Sequence, residues 1–141
     1  MVFENPRDEA LRELLQQSRT VAVVGLSPKP ERDSHRVAAY LQQQGYRIIP
    51  VYPREETILG EKVYRRLGDI PFAVDIVNVF RRSEEVLPVV EEALALRPRA
   101  VWLQLGVTHA GAVPLCRRAG VCLVMDRCIM VEHRRLCGGR G

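Results

Sequence analysis

The chain has 141 residues, 47% of them hydrophobic, and a formal net charge of +4. That length supports one domain over residues 1–141, because a chain of about 150 residues buries about 68–70% of its unfolded surface without disulfide or metal staples. The cations are spread along the chain, with Arg117-Arg118 and Arg134-Arg135 only as pairs, so a nucleic-acid footprint is excluded as an expectation.

Asn5-Pro6 reads as a helix N-cap followed by proline at the first helical position, with Asp8 and Glu9 in the first turn. Ala10, Leu11, Leu14 and Leu15 then make one apolar stripe, which predicts an amphipathic helix over 6–17. Thr20-Val21-Ala22-Val23-Val24 is a β-branched run ending at Gly25, a buried strand. The loop Gly25-Leu26-Ser27-Pro28-Lys29-Pro30-Glu31-Arg32 follows. A helix capped by Asp33 or Ser34 comes next, with Val37, Ala38 and Leu41 inward and Gly45 as its stop.

Tyr46 to Val51 reads as the second strand. Residues 52–71 read as irregular and charged, with one short helix near Val63–Leu67. Val74 to Val79 is the third strand, and Ser83-Glu84-Glu85 opens a helix in which Pro88 either distorts the first turn or delays the start. Ala100 to Leu105 is the fourth strand. A short helix over 110–119 stops at Gly120, and Val121 to Met125 is the fifth strand. Glu132, His133, Arg134 and Arg135 read as the solvated face of a final helix, and 137–141 as a frayed tail.

Five near-continuous apolar strands alternating with helices are strands covered on both faces. The expected class is α/β, a Rossmann-like three-layer fold with a mostly parallel five-stranded sheet. No run approaches the roughly 18 apolar residues of a membrane span, and the first residues lack the basic-then-apolar layout of a signal peptide. A cytoplasmic protein with no membrane partner is expected. The four cysteines (Cys116, Cys122, Cys128, Cys137) form no C-x-x-C pair and the histidines are scattered, which disfavours a zinc site.

In an open parallel sheet, ligands bind beyond the carboxyl ends of the strands. The turn after the first strand is the most informative of these ends. Glycine lets a phosphate approach the backbone, and a helix start offers unpaired N–H groups. Ser27 and Ser34 supply hydroxyls; Lys29, Arg32 and Arg36 supply cations. An ordinary strand–helix turn with solvated charges fits the same residues. The fingerprint G-x-G-x-x-G is missing, as are Walker A and a carboxylate at the end of the second strand, where Val51-Tyr52-Pro53 stands.

These segments together resemble the CoA-binding domain family, small stand-alone proteins that share a fold with the nucleotide-binding domain of the succinyl-CoA synthetase alpha subunit. The carrying residues are Val23 to Pro30, Ser34 to Leu41, Gly45 to Pro53, Gly60, Asp69-Ile70-Pro71, Val79 to Glu84, Trp102 to Gly106, and Met125 to Cys128 with Glu132-His133. The resemblance implies that coenzyme A, or an acyl-CoA, is held through a Gly-x-Ser loop. Gly25, Leu26, Ser27 and Lys29 would take the diphosphate, with Ser34 beside them. Val51, Tyr52 and Pro53 would form a shelf for the adenine end. Val79, Phe80 and Arg81 would line the middle, and Gln104 and Gly106 the pantetheine arm. Tyr52 departs from the P-V-N-P of many family members, and Tyr64-Arg65-Arg66-Leu67 from their Tyr-Pro-Ser-Leu.

No acid–base pair or nucleophile constellation emerges, so the expectation is a CoA holder without catalysis of its own. His109 reads as a general base or phosphoryl acceptor or, preferably, a loop histidine; Cys128 as a reactive thiol or, preferably, a packed one. The alternatives are a subunit of an acyl-CoA ligase-type enzyme and a small NAD(P)-dependent oxidoreductase. Partners are then the small-molecule ligand and either a second copy of the chain or a partner subunit.

Overall fold

The β-branched runs of the sequence form one parallel sheet because each is apolar on both faces and must be covered twice. A computed structural model describes residues 2–138. Its elements are α1 (Asp8–Gln17), β1 (Thr20–Val24), α2 (Asp33–Gln43), β2 (Arg47–Val51), β3 (Thr57–Ile58), β4 (Glu61–Lys62), β5 (Ile76–Val79), α3 (Val86–Ala95), β6 (Ala100–Leu103), α4 (Ala112–Ala119), β7 (Cys122–Val124) and α5 (Ile129–Leu136). The main sheet has the order β2-β1-β5-β6-β7, all parallel. The chain leaves β1 toward β2 and returns to β5 on the other side, so the order reverses between β1 and β5.

Alternate strand residues feed two separate cores. Val21 and Val23 of β1 pack with Ile48, Ile76 and Trp102 against Leu11, Leu15, Val37, Leu41 and Ile129, the buried stripes of α1, α2 and α5. Ala22 and Val24 pack with Ile49, Val77 and Val101 against Val86, Val90, Ala112 and Cys116 of α3 and α4. Three layers result. No described helix is long and apolar enough to cross a membrane.

Several local expectations are corrected. Asn5 does not cap α1; its carboxamide clamps β7, accepting the Met125 N–H at 2.8 Å and donating to the Met125 carbonyl at 2.9 Å. Arg7 stands at the cap position without a side-chain cap, as Arg32 does for α2. The stretch 52–71 holds no α-helix. It holds the β3–β4 hairpin, turned by Leu59 and Gly60 at φ of 55° and 77°, and a single 3-10 turn at Leu67–Asp69. Tyr64 donates its N–H to the Pro50 carbonyl at 2.9 Å, laying this segment along β2. The late start expected from Pro88, by contrast, is observed: a 3-10 turn at Ser83–Glu85 precedes α3, and Pro88 falls in the first turn of the helix, where its missing N–H has no intrahelical use.

The face of α5 is not wholly solvated. Glu132 and His133 are 6% and 7% exposed. Glu132 is 2.7 Å from Arg135, which also grips Asp8 through two contacts of 2.8 Å and so ties α5 to α1. His133 shares a 2.8 Å hydrogen bond with the Tyr40 hydroxyl of α2 and meets Tyr40 and Tyr46 edge-on. Of the expected frayed tail, Cys137 and Gly138 bond back to the His133 carbonyl, while 139–141 lie outside the described residues.

Burial holds the imidazole of His133 below its ordinary range; Arg134 is stacked on Tyr40 beside it, and no carboxylate among the described residues pairs with the ring. A group whose folded pKa is depressed stabilises the fold above its unfolded pKa, about 6.5, and that contribution is lost as pH falls through the folded value. The urea midpoint is therefore expected to drop between pH 7.5 and pH 5.5. His133→Phe should flatten that drop, and an equally steep dependence in the variant would refute the assignment.

Candidate functional site

Two cavities open where the strands β1, β2, β5 and β6 end. The first, about 680 Å³, is polar and lined by the β1–α2 loop (Gly25, Ser27, Lys29, Glu31, Arg32), the start of α2 (Asp33, Ser34), Tyr52 and Arg54 beyond β2, and Phe80 beyond β5. The second, about 540 Å³, is largely apolar, with Val37, Leu105, Val107, Met130 and Val131 on its walls beside Phe80, Gln104 and Cys128 and the cations Arg36, Arg81 and Arg82. Asp33 and Phe80 line both. Together the walls carry six cations against the carboxylates of Glu31 and Asp33, and Asp33 is already paired with Arg36.

The β1–α2 loop is held by its own atoms. Gly25 donates its N–H to the Val51 carbonyl at 2.9 Å. Ser27 donates its N–H to Ser34 Oγ at 3.0 Å, and Lys29 donates its N–H to Ser27 Oγ at 3.1 Å. His35 Nδ1 donates to the Ser27 carbonyl at 2.9 Å. The bend therefore does not present bare amides at Gly25, Ser27 and Lys29. Both serine hydroxyls act here as acceptors, which leaves each O–H proton free to point at an anion. The first amides of α2 have no intrahelical partner and sit at its positive dipole end.

Gly25 is needed for a reason internal to the sheet. It holds φ +86°, and a Cβ there would stand 2.4 Å from the Phe80 carbonyl oxygen. The backbones after β1 and β5 touch at the point where the strand order reverses.

The residues singled out from sequence fall into three groups. Gly25, Ser27, Lys29, Ser34 and Tyr52 line the polar cavity, Arg81 and Gln104 the apolar one, and Phe80 both. Leu26, Val51 and Val79 are buried in the two cores, 0%, 6% and 0% exposed. They position the loops. Pro53 and Gly106 line neither cavity; Gly106, at φ +84°, donates its N–H to Asp126 at 2.8 Å and so joins the ends of β6 and β7. Residues that the sequence reading missed are Arg54, Arg82, Leu105, Met130 and Val131. The exposed apolar side chains of Leu105 and Val131 were the available signal.

His109 lines neither cavity. Its Nδ1 accepts the Gly111 N–H at 3.0 Å, a local cap on the turn before α4. Among the described residues, no three of His, Cys, Asp or Glu converge as metal ligands.

The model of the CoA binding domain matches residues 19–134, and the chain belongs to that family. It is 42% identical over 131 residues to an uncharacterized protein, YneT, of Bacillus subtilis, covering 93% of this chain and 97% of the relative. It is 37% identical over 62 residues to the alpha subunit of an ADP-forming acetate–CoA ligase II from Pyrococcus furiosus, 43% of this chain but 14% of the subunit. A solved structure of a Thermus thermophilus protein superposes with a TM-score of 0.89 at 43% identity, covering 93% and 99% of the two chains.

Gly25 and Gly60 separate the two costs of adding a methyl group. Gly60 also holds a positive φ, +77°, but a Cβ there meets nothing within 4 Å. Gly60→Ala should cost only the backbone strain, about 1–3 kcal/mol. Gly25→Ala should cost distinctly more, because the Phe80 backbone must also move. Equal melting temperatures for the two variants would count against the contact.

Proposed function

We propose that the protein binds coenzyme A or an acyl-CoA across the two cavities, phosphates in the polar one and pantetheine in the apolar one. The observation that carries this reading is their junction at Phe80. A polar cavity at a helix start, with Lys29, Arg32 and Arg54 on its walls, continues into a largely apolar one, and a CoA molecule has the same succession of charged and apolar parts. Ser27, Ser34 and Lys29 supply donors for the diphosphate, with Arg32 and Arg54 beside them. Tyr52 gives the adenine end an aromatic edge. A dinucleotide is disfavoured, since Tyr52 stands at the end of β2 where a carboxylate would hold a free ribose 2′-hydroxyl.

The likeness to a ligase alpha subunit supports a second reading, in which the same domain serves a partner subunit. Co-purification of an ATP-binding chain would favour it.

The two halves can be tested separately by thermal shift and calorimetry with CoA and with adenosine 3′,5′-bisphosphate. Lys29→Glu should weaken both ligands roughly ten- to hundredfold, the worth of a hydrogen bond to a charged group. Leu105→Asp, at a 66% exposed position, should weaken CoA roughly tenfold or more and leave the bisphosphate unchanged. Failure of CoA to raise the melting temperature of the unaltered protein would end this reading.

A further inference from the structure

The apolar cavity is lined by a thiol, Cys128, and by a hydrogen-bond donor, Gln104, without a protein acceptor among the described residues. Cys128 is half-buried at the cap position of α5 and lines the cavity. Gln104 lines it too and is 94% buried, being 6% exposed. Its Oε1 accepts the N–H of Ile129, the residue after Cys128, at 3.3 Å, and Asn78 Nδ2 at 3.2 Å. A backbone N–H can only donate, so the carboxamide orientation is settled by Ile129. Gln104 Nε2 is the end left over, without a protein acceptor among the described residues.

The remaining thiols are placed differently. Cys116 is buried in the α3–α4 core, where burial pushes it up to about 11, and burial also raises Cys122 and Cys137. None of the three lines this cavity.

From this juxtaposition we infer that Cys128 is an acyl acceptor for a short-chain acyl-CoA, with Gln104 Nε2 as the donor to the thioester oxygen. The inference rests on the CoA reading above. The Cys128 thiolate attacks the thioester carbonyl carbon, and the oxygen gains negative charge against Nε2. The carbon–sulfur bond to CoA then breaks, its electron pair goes to the CoA sulfur, and that sulfur takes up the proton lost by Cys128. The products are an S-acyl-Cys128 chain and free CoA, with no oxidant or reductant consumed. A thioester replaces a thioester, so the step is reversible.

The full chain, kept under a non-thiol reductant, is incubated with acetyl-CoA and followed by intact mass and peptide mapping. One acetyl group per chain is expected, on the peptide carrying Cys128, released by hydroxylamine and removed by excess CoA. Cys128→Ser should abolish the adduct. Gln104→Glu keeps the acceptor for Ile129 and Asn78 but removes the donor, and should slow acylation about 10²–10³-fold, the usual loss for one oxyanion donor. Melting temperatures of both variants without ligand establish that they fold. Acetylation elsewhere, acetylation undiminished in Cys128→Ser, or no acetylation while CoA still raises the melting temperature would overturn the inference and leave the binding reading standing. No thermal shift with either CoA or acetyl-CoA would overturn both.

Discussion

The contact between the backbones at Gly25 and Phe80 determines most of what lies beyond the sheet. Up to that point β1 and β5 run in register, with Val24 opposite Val79, and the Phe80 N–H still reaches the Val24 carbonyl at 2.9 Å. Past it, one chain must turn toward α2 on one face and the other toward α3 on the opposite face. The cleft is the space left by that divergence. Only glycine lets the strands stay together so far, since a Cβ would meet the Phe80 oxygen. Phe80 in turn forms a wall common to both cavities, as Asp33 does. A packing constraint between two strands thus fixes where a ligand can lie.

The polarity of the cleft follows from what each side can satisfy alone. On the α2 side, the serine hydroxyls and His35 hold a proline-stiffened loop, so little ordering entropy would be lost on binding an anion there. Six cations around the cleft repel one another unless an anion joins them, and among the described residues only Arg36 and Arg81 of the six face a carboxylate, Asp33 and Glu85. On the β6–α5 side, the walls are apolar and partly exposed. Leu105 and Val131 gain most from being covered. Opposite ends of one cleft therefore favour opposite ends of an amphipathic ligand.

The sheet was legible because its strands are short, β-branched apolar runs bounded by turn residues. The stripes of α1 and α2 were legible from their apolar spacing at period 3.6. Local polar residues misled where a tertiary partner absorbed them. Asn5 resembles a cap but bonds to β7, and Glu132 and His133 resemble a solvated face but find Arg135 and Tyr40. The hairpin at Leu59-Gly60 was hidden because leucine is a poor residue for a positive φ, so no turn signal was present. Gly25, Ser27, Phe80 and Gln104 could be placed at the cleft from the sequence because strand ends locate them. Arg54 and Met130 were missed because they come from irregular chain and from a helix face that only folding brings to the cleft.

Asn78 and Gln104 form a polar thread inside an otherwise apolar layer. Asn78 is fully buried, donates to the Trp102 carbonyl at 3.3 Å and to Gln104, and keeps Oδ1 unpaired. An unpaired buried acceptor costs about 1–3 kcal/mol, and a pair of aliphatic side chains would fill the same volume without it. What the thread accomplishes is orientation. Asn78 pulls Gln104 Oε1 inward, Ile129 anchors it to the start of α5, and the remaining amide protons are directed away from both. The Trp102 indole, bonded to the Arg127 carbonyl at 2.9 Å, fixes the chain just before Cys128 from the other side. The sheet therefore spends stability to set one donor and one thiol on rigid supports at the edge of a cavity, and rigid supports are what a reacting group requires.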